Sequence, residues 1–96
     1  QHLRPRTYFV HFFTTTQEEL KREIPRLKGA LTLNGMLWIS WPKKSSSLET
    51  DLTDNIVRKV GLSTGLLDVK IASIDRNWSA MKFMYKLKVR QGLATD

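Results

Sequence analysis

The sequence predicts an α/β fold with the order β-α-β-α-β-β, a Rossmann-like half whose mostly parallel sheet is closed by an antiparallel C-terminal hairpin strand. Three observations carry this expectation. Two short runs, YFVHFF from Tyr8 to Phe13 and MLWISW from Met36 to Trp41, are apolar at nearly every position, the pattern of strands covered on both faces. Each is followed by a stretch in which apolar residues recur every three or four positions, which is one face of an α-helix. Only Asp75-Arg76-Asn77-Trp78-Ser79 separates the last two strand-like runs, so they form a hairpin. Helical crossovers imply parallel pairing, and the hairpin adds one antiparallel strand.

The first strand runs into Thr14-Thr15-Thr16, where Thr16-x-x-Glu19 is a capping box that opens a helix. Leu20, Ile24, Leu27 and Leu31 form its apolar stripe. Pro25 conflicts with that helix, because an interior proline removes a hydrogen bond and costs about 3 kcal/mol. Either the helix kinks there, or a second short helix begins with Pro25 as its first residue. The element is expected to stop at Asn34-Gly35. Pro42 ends the second strand, since it cannot donate to a sheet ladder, and Lys43 to Glu49 is a loop.

Thr50 or Asp51 then caps a second helix whose stripe is Leu52, Ile56, Val57 and Val60. Asp51 and Asp54 in its first turn and Arg58 and Lys59 in its last suit the helix dipole, and Gly61 reads as its C-terminal stop. A third strand spans Leu66 to Ile74 and a fourth Ala80 to Val89. The fourth alternates Met81, Phe83, Tyr85, Leu87 and Val89 against Lys82, Met84, Lys86 and Lys88, a half-buried or edge-like strand with one wet face. Trp38 and the Met81, Phe83, Tyr85 stripe read as core.

Ninety-six residues make one domain, 1–96, with enough chain for a core; residues 1–6 and 90–96 read as tails. With 41% hydrophobic and 26% charged residues, the composition is that of a globular protein, not a disordered one. No apolar run approaches the roughly 18 residues of a membrane span, so no membrane partner is expected and the cytoplasm is the expected compartment. The start, Gln1-His2-Leu3, has neither an initiator Met nor an apolar signal region, and a natural start upstream is expected. The absence of cysteine excludes a disulfide framework and a thiolate zinc site. A net charge of +7 and a pI near 10.1 invite nucleic acid or an anionic surface as partner. The basic residues are spread along the chain, however, and an adjacent pair such as Lys43-Lys44 is only two residues long, which favours a solvated basic surface.

The phrases LWISWPKKSS, TDLTDNIVRKVGLSTGLLDVKIASID and NWSAMKF resemble a family of small, uncharacterised bacterial proteins known only as a domain of unknown function. The resemblance covers roughly Tyr8 to Lys88. Members of that family look like degenerate relatives of the class I methyltransferase fold, which usually ends in an antiparallel hairpin. The half of that fold that carries its Gly-rich nucleotide loop is not among these residues. The resemblance implies a fold and brings no assigned activity.

In an open parallel sheet, ligands sit beyond the carboxyl ends of the strands. Those ends are expected to gather Thr14 and Thr15, then Trp41, Lys43, Lys44 and Ser45, then Asp75 and Trp78 on one rim. Helix starts and ammonium groups favour anions there, and the tryptophans offer flat apolar walls. The same residues also read as a strand end, solvated lysines and flexible serines, with Asp75 a turn former. His11, inside an apolar strand with only His2 for company, reads as a satisfied, partly buried side chain and not a metal ligand. Gly61-Leu62-Ser63-Thr64-Gly65 lacks the spacing and the lysine of a phosphate loop and precedes a strand. No GxSxG, GxGxxG or Ser/His/Asp set is present. The sequence therefore favours a non-catalytic binding or interaction domain, with itself or another protein as partner and an anion-favouring rim. S-adenosylmethionine binding in a methyltransferase-like enzyme is the alternative, and nucleic-acid binding through the basic surface is the second.

Overall fold

The computed structural model describes residues 6–90, and the two tails fall almost wholly outside them. The elements are β1 (Thr7–Phe13), α1 (Gln17–Gly29), β2 (Leu31–Pro42), α2 (Asp54–Ser63), β3 (Leu66–Ser73) and β4 (Trp78–Tyr85). Residues 87–90 are helical, so the alternation through Leu87 and Val89 does not continue the last strand. The class is α/β with one mixed sheet of four strands in the order β1-β2-β4-β3.

The expected mostly parallel sheet is corrected. Only β1 and β2 pair in parallel; β4 is antiparallel to β2 on one side and to β3 on the other. The last strand is thus not at an edge but inside the sheet. Its composition explains the position: Ala80, Met81 and Phe83 are at most 1% exposed, whereas β3 is exposed along most of its length and carries Asp68 and Lys70. Burial favours the apolar strand in the middle and the charged one at the rim of the sheet.

α1 packs on α2 and β2, and α2 on β3 and β4, so both helices share one face. Leu20, Ile24, Leu27, Val57 and Val60 meet Leu37, Ile39, Met81 and Phe83 in a single core. Each fully buried aliphatic or aromatic side chain there contributes about 1.5–3 kcal/mol. α1 is one continuous helix through Pro25. Pro25 is exposed, so water can replace the partner that the Lys21 carbonyl loses.

Three sequence-based boundaries move, each for a physical reason. Leu31 keeps helical spacing from Leu27, yet it is the first residue of β2, buried at 0% exposure. Residues 32–35 bulge, because β2 advances from Leu31 to Met36 while β1 advances only from Thr7 to Phe9. Gly35 closes that bulge: a Cβ there would lie 2.7 Å from the Tyr8 carbonyl oxygen. Gly61 lies within α2, not after it, and a Cβ there would lie 2.1 Å from the Phe83 ring. Finally, Thr53 is the N-cap of α2, accepting from the Ile56 amide at 3.2 Å. Asp51 instead accepts from the Gln17 amide at 2.8 Å and so caps the first turn of α1.

Candidate functional site

Because β4 runs against both β2 and β3, and β1 runs with β2, the strands β1, β2 and β3 all point the same way. Their carboxyl ends share one rim. There Trp41, Lys43 and Lys44 line an open cleft of about 420 Å³ with Thr53, Asp54 and Asn55 at the start of α2.

The remaining predicted rim residues are committed elsewhere. The Thr14 hydroxyl is buried and donates to Glu19 Oε1 at 2.6 Å, so the capping box is only half built: Thr16 accepts from the Glu19 amide, and the Glu19 carboxylate turns to Thr14 instead. The Thr15 carbonyl accepts from the Thr50 hydroxyl at 2.6 Å. Ser45 is exposed and does not line the cleft. Asp75 Oδ1 accepts from the amides of Asn77 and Trp78 at 2.8 and 3.0 Å, which makes it the turn former between β3 and β4.

The polar groups of the rim are largely self-satisfied. The Lys43 ammonium donates to Ser73 Oγ, and the Asn55 and Ile56 amides donate to Asp54 and Thr53 side chains. A helix start attracts an anion through unpaired amides; here carboxylates and hydroxyls of the chain already occupy them. Among the described residues, no three His, Asp or Glu side chains gather as a metal-ligand cluster, and no helix is long and apolar enough to cross a membrane.

The opposite side of the sheet presents a different surface. In β1, Val10 and Phe12 pack on the core while Phe9, His11 and Phe13 alternate onto the helix-free face. Cross-strand register sets His11 beside Trp38, Trp38 beside Lys82, and Lys82 beside Lys70, one row across all four strands. The next row holds Phe13, Ser40, Ala80 and Ala72, and Pro42 pairs with Trp78 beyond it. The rings touch. His11 stacks on Phe13 at 4.4 Å between centroids, and Phe13 meets Trp78 edge-on at 5.2 Å. The Lys82 ammonium lies 5.7 Å from the Trp38 ring centre, within cation–π reach. A shallow recess of about 230 Å³ opens among Phe9, His11, Trp38 and Ile74.

His11 pairs with Ser40 Oγ at 2.6 Å. Desolvation by its neighbours holds its imidazole below the ordinary value, so the neutral ring is favoured. Neither a scan of protein-family models nor a search of curated proteins returned a match for this chain.

The expectation that Trp38 is core, and that the first strand is covered on both faces, is therefore corrected. Phe9 and Phe13 are each 51% exposed, His11 is exposed and Trp38 is half-buried. The sequence carried a faint signal of this: His11, Ser40 and Lys82 each interrupt an apolar strand at positions that share one face. It becomes readable only once the pairing of β4 beside β2 is known.

Proposed function

We propose that this is a binding domain whose working surface is the helix-free face of the sheet. The observation that carries the reading is the contiguous set of rings formed by exposed Phe9, His11 and Phe13 on β1 with half-buried Trp78 on β4 and half-buried Trp38 on β2. A one-sided antiparallel sheet ordinarily turns polar side chains to water. A contiguous apolar patch left on a folded surface marks an interaction site. The rim supports catalysis less well, because its carboxylates and hydroxyls are already hydrogen-bonded within the same chain. The S-adenosylmethionine reading has only the sequence resemblance behind it, and fold-level likeness is a weak warrant for activity.

A benzophenone amino acid placed at Phe13 tests the proposal, with the same group at Lys59 on the helix layer as control. Irradiation in a cell extract should give discrete adducts from position 13 and none from position 59. Equal labelling at both positions, or none at position 13, overturns the assignment of the working face.

A further inference from the structure

We infer that the occupant of this face is single-stranded nucleic acid, its bases stacked on the aromatic rings and its phosphates held by Lys70 and Lys82. The inference rests on the reading of the helix-free face as the working surface and adds the partner. Two observations choose that partner over a second protein.

The first is the segregation of charge. Among the described strand residues no carboxylate lies on this side of the sheet. Those of the helices and their connecting loop belong to the helix layer, Asp68 faces α2 through its ion pair with Arg58, and Asp75 is held in the turn. The charged strand side chains on the helix-free face are Lys70 and Lys82, in a chain of net charge +7.

The second is that Lys70 and Lys82 are direct cross-strand partners. Like charges in that relation are destabilising, and a phosphate between them turns the repulsion into attraction. A second copy docked face to face would double the uncompensated positive charge. An anionic strand neutralises it.

The aromatic component fits the same ligand. Sequence-tolerant binders of single strands combine a cationic track with rings on which successive bases stack, and single-stranded RNA is read in this way on four-stranded sheets. Here Phe13 and Trp78 are in contact at one end of the face, while Trp38 stands beside the Lys82 and Lys70 pair. Rings therefore cover the β1 and β2 side of the surface, and the ammonium groups lie next to them on β4 and β3.

Fluorescence anisotropy of the 96-residue chain with labelled single-stranded DNA and RNA oligonucleotides, and with a duplex of the same sequence, tests the inference. Single strands should bind with a Kd of about 1–100 µM at about 50 mM salt, and more tightly than the duplex. Phe13→Ala and Trp38→Ala should each weaken binding about 5- to 100-fold. Lys70→Ala with Lys82→Ala should flatten the slope of log K against log salt by about 1.4. Lys21→Ala and Lys59→Ala, on the helix layer, should change little, and far-ultraviolet circular dichroism establishes that each variant is folded. As a second readout, Trp38 and Trp78 lie on the face, so bound bases should quench tryptophan emission.

The inference is overturned by absence of binding, by equal affinity for duplex, or by binding that persists without the rings and disappears without Lys21 and Lys59. Protein adducts from position 13 together with no oligonucleotide binding would keep the working face and remove nucleic acid as its occupant. Neither adducts nor binding would remove both.

Discussion

Gly61→Ala should destabilise the fold even though it places a better helix former inside α2. In an open helix the exchange gains about 1 kcal/mol. Here the new methyl group would start 2.1 Å from Phe83 Cε1 and 2.4 Å from Cζ. The ring must retreat by more than an ångström, and Phe83 is 0% exposed, walled by the core on every side. Overpacking of this kind costs about 1–3 kcal/mol, and a displacement this large belongs at the upper end. The net loss is then about 2 kcal/mol, or about 8–16 °C in the melting temperature of a domain this size. Thermal and urea unfolding followed by circular dichroism measure it. Two companions isolate the cause. Gly29→Ala, where nothing lies within 4 Å of the added carbon, should be neutral or stabilising by up to about 1 kcal/mol. In a Phe83→Leu background, Gly61→Ala should lose most of its penalty, a coupling of about 1 kcal/mol or more. A Gly61→Ala protein that melts at or above the parent temperature refutes the close approach of α2 to β4.

Pro25→Ala restores a backbone donor in the middle of α1, at an exposed position. It should raise stability by about 1–3 kcal/mol; an unchanged urea midpoint would mean that the helix is already broken there. Thr16→Ala removes the acceptor of the Glu19 amide and should cost about 1 kcal/mol, read in the same assay; no loss would show that the cap contributes nothing. Burial lowers the pKa of His11 from its ordinary 6.5, so just below that pH the unfolded chain takes up this proton before the folded one does. The corresponding stability is complete above pH 6.5 and declines as the pH falls below it. His11→Gln should remove that part of the decline between pH 7 and pH 5, and identical profiles for parent and variant would exclude the imidazole as its source.

Local chemistry, the parallel pairing of β1 with β2 and the hairpin of β3 with β4 were legible in the sequence, and the place of β4 beside β2 was not. Pro42 ends β2 as its missing donor requires, and the Asp75 turn joins two antiparallel strands. The stripes Leu20, Ile24, Leu27 and Val57, Val60 face the core. Leu31 misled because a buried residue four positions after Leu27 satisfies a helix and a strand start equally well. Gly61 misled because a glycine needed for close packing looks like one needed to end a helix. The order β1-β2-β4-β3 depends on contacts between segments far apart in the chain, and no short-range pattern encodes it.

At the rim, Trp41, Lys43 and Lys44 do line one cleft with the start of α2. Thr14 and Asp75 do not join them, because each side chain already satisfies a nearby group. Trp78 pairs with Pro42 and meets Phe13 on the other side of the sheet. The aromatic face could not be assembled from β1 and β2 alone, since Lys82 and Trp78 complete it from β4.

The position of β4 also sets the order in which the molecule can be made. A ribosome that has delivered the chain only as far as residue 77 has produced β3 with no neighbour to pair with and a helix layer still lacking Met81 and Phe83. Closure must wait for the final ribbon to thread between two segments that are already present, a long-range step of the kind that slows folding and exposes unfinished edges to aggregation. Nascent chains stalled at residue 77 should therefore be degraded by protease, and chains long enough to release Tyr85 from the exit tunnel should resist it.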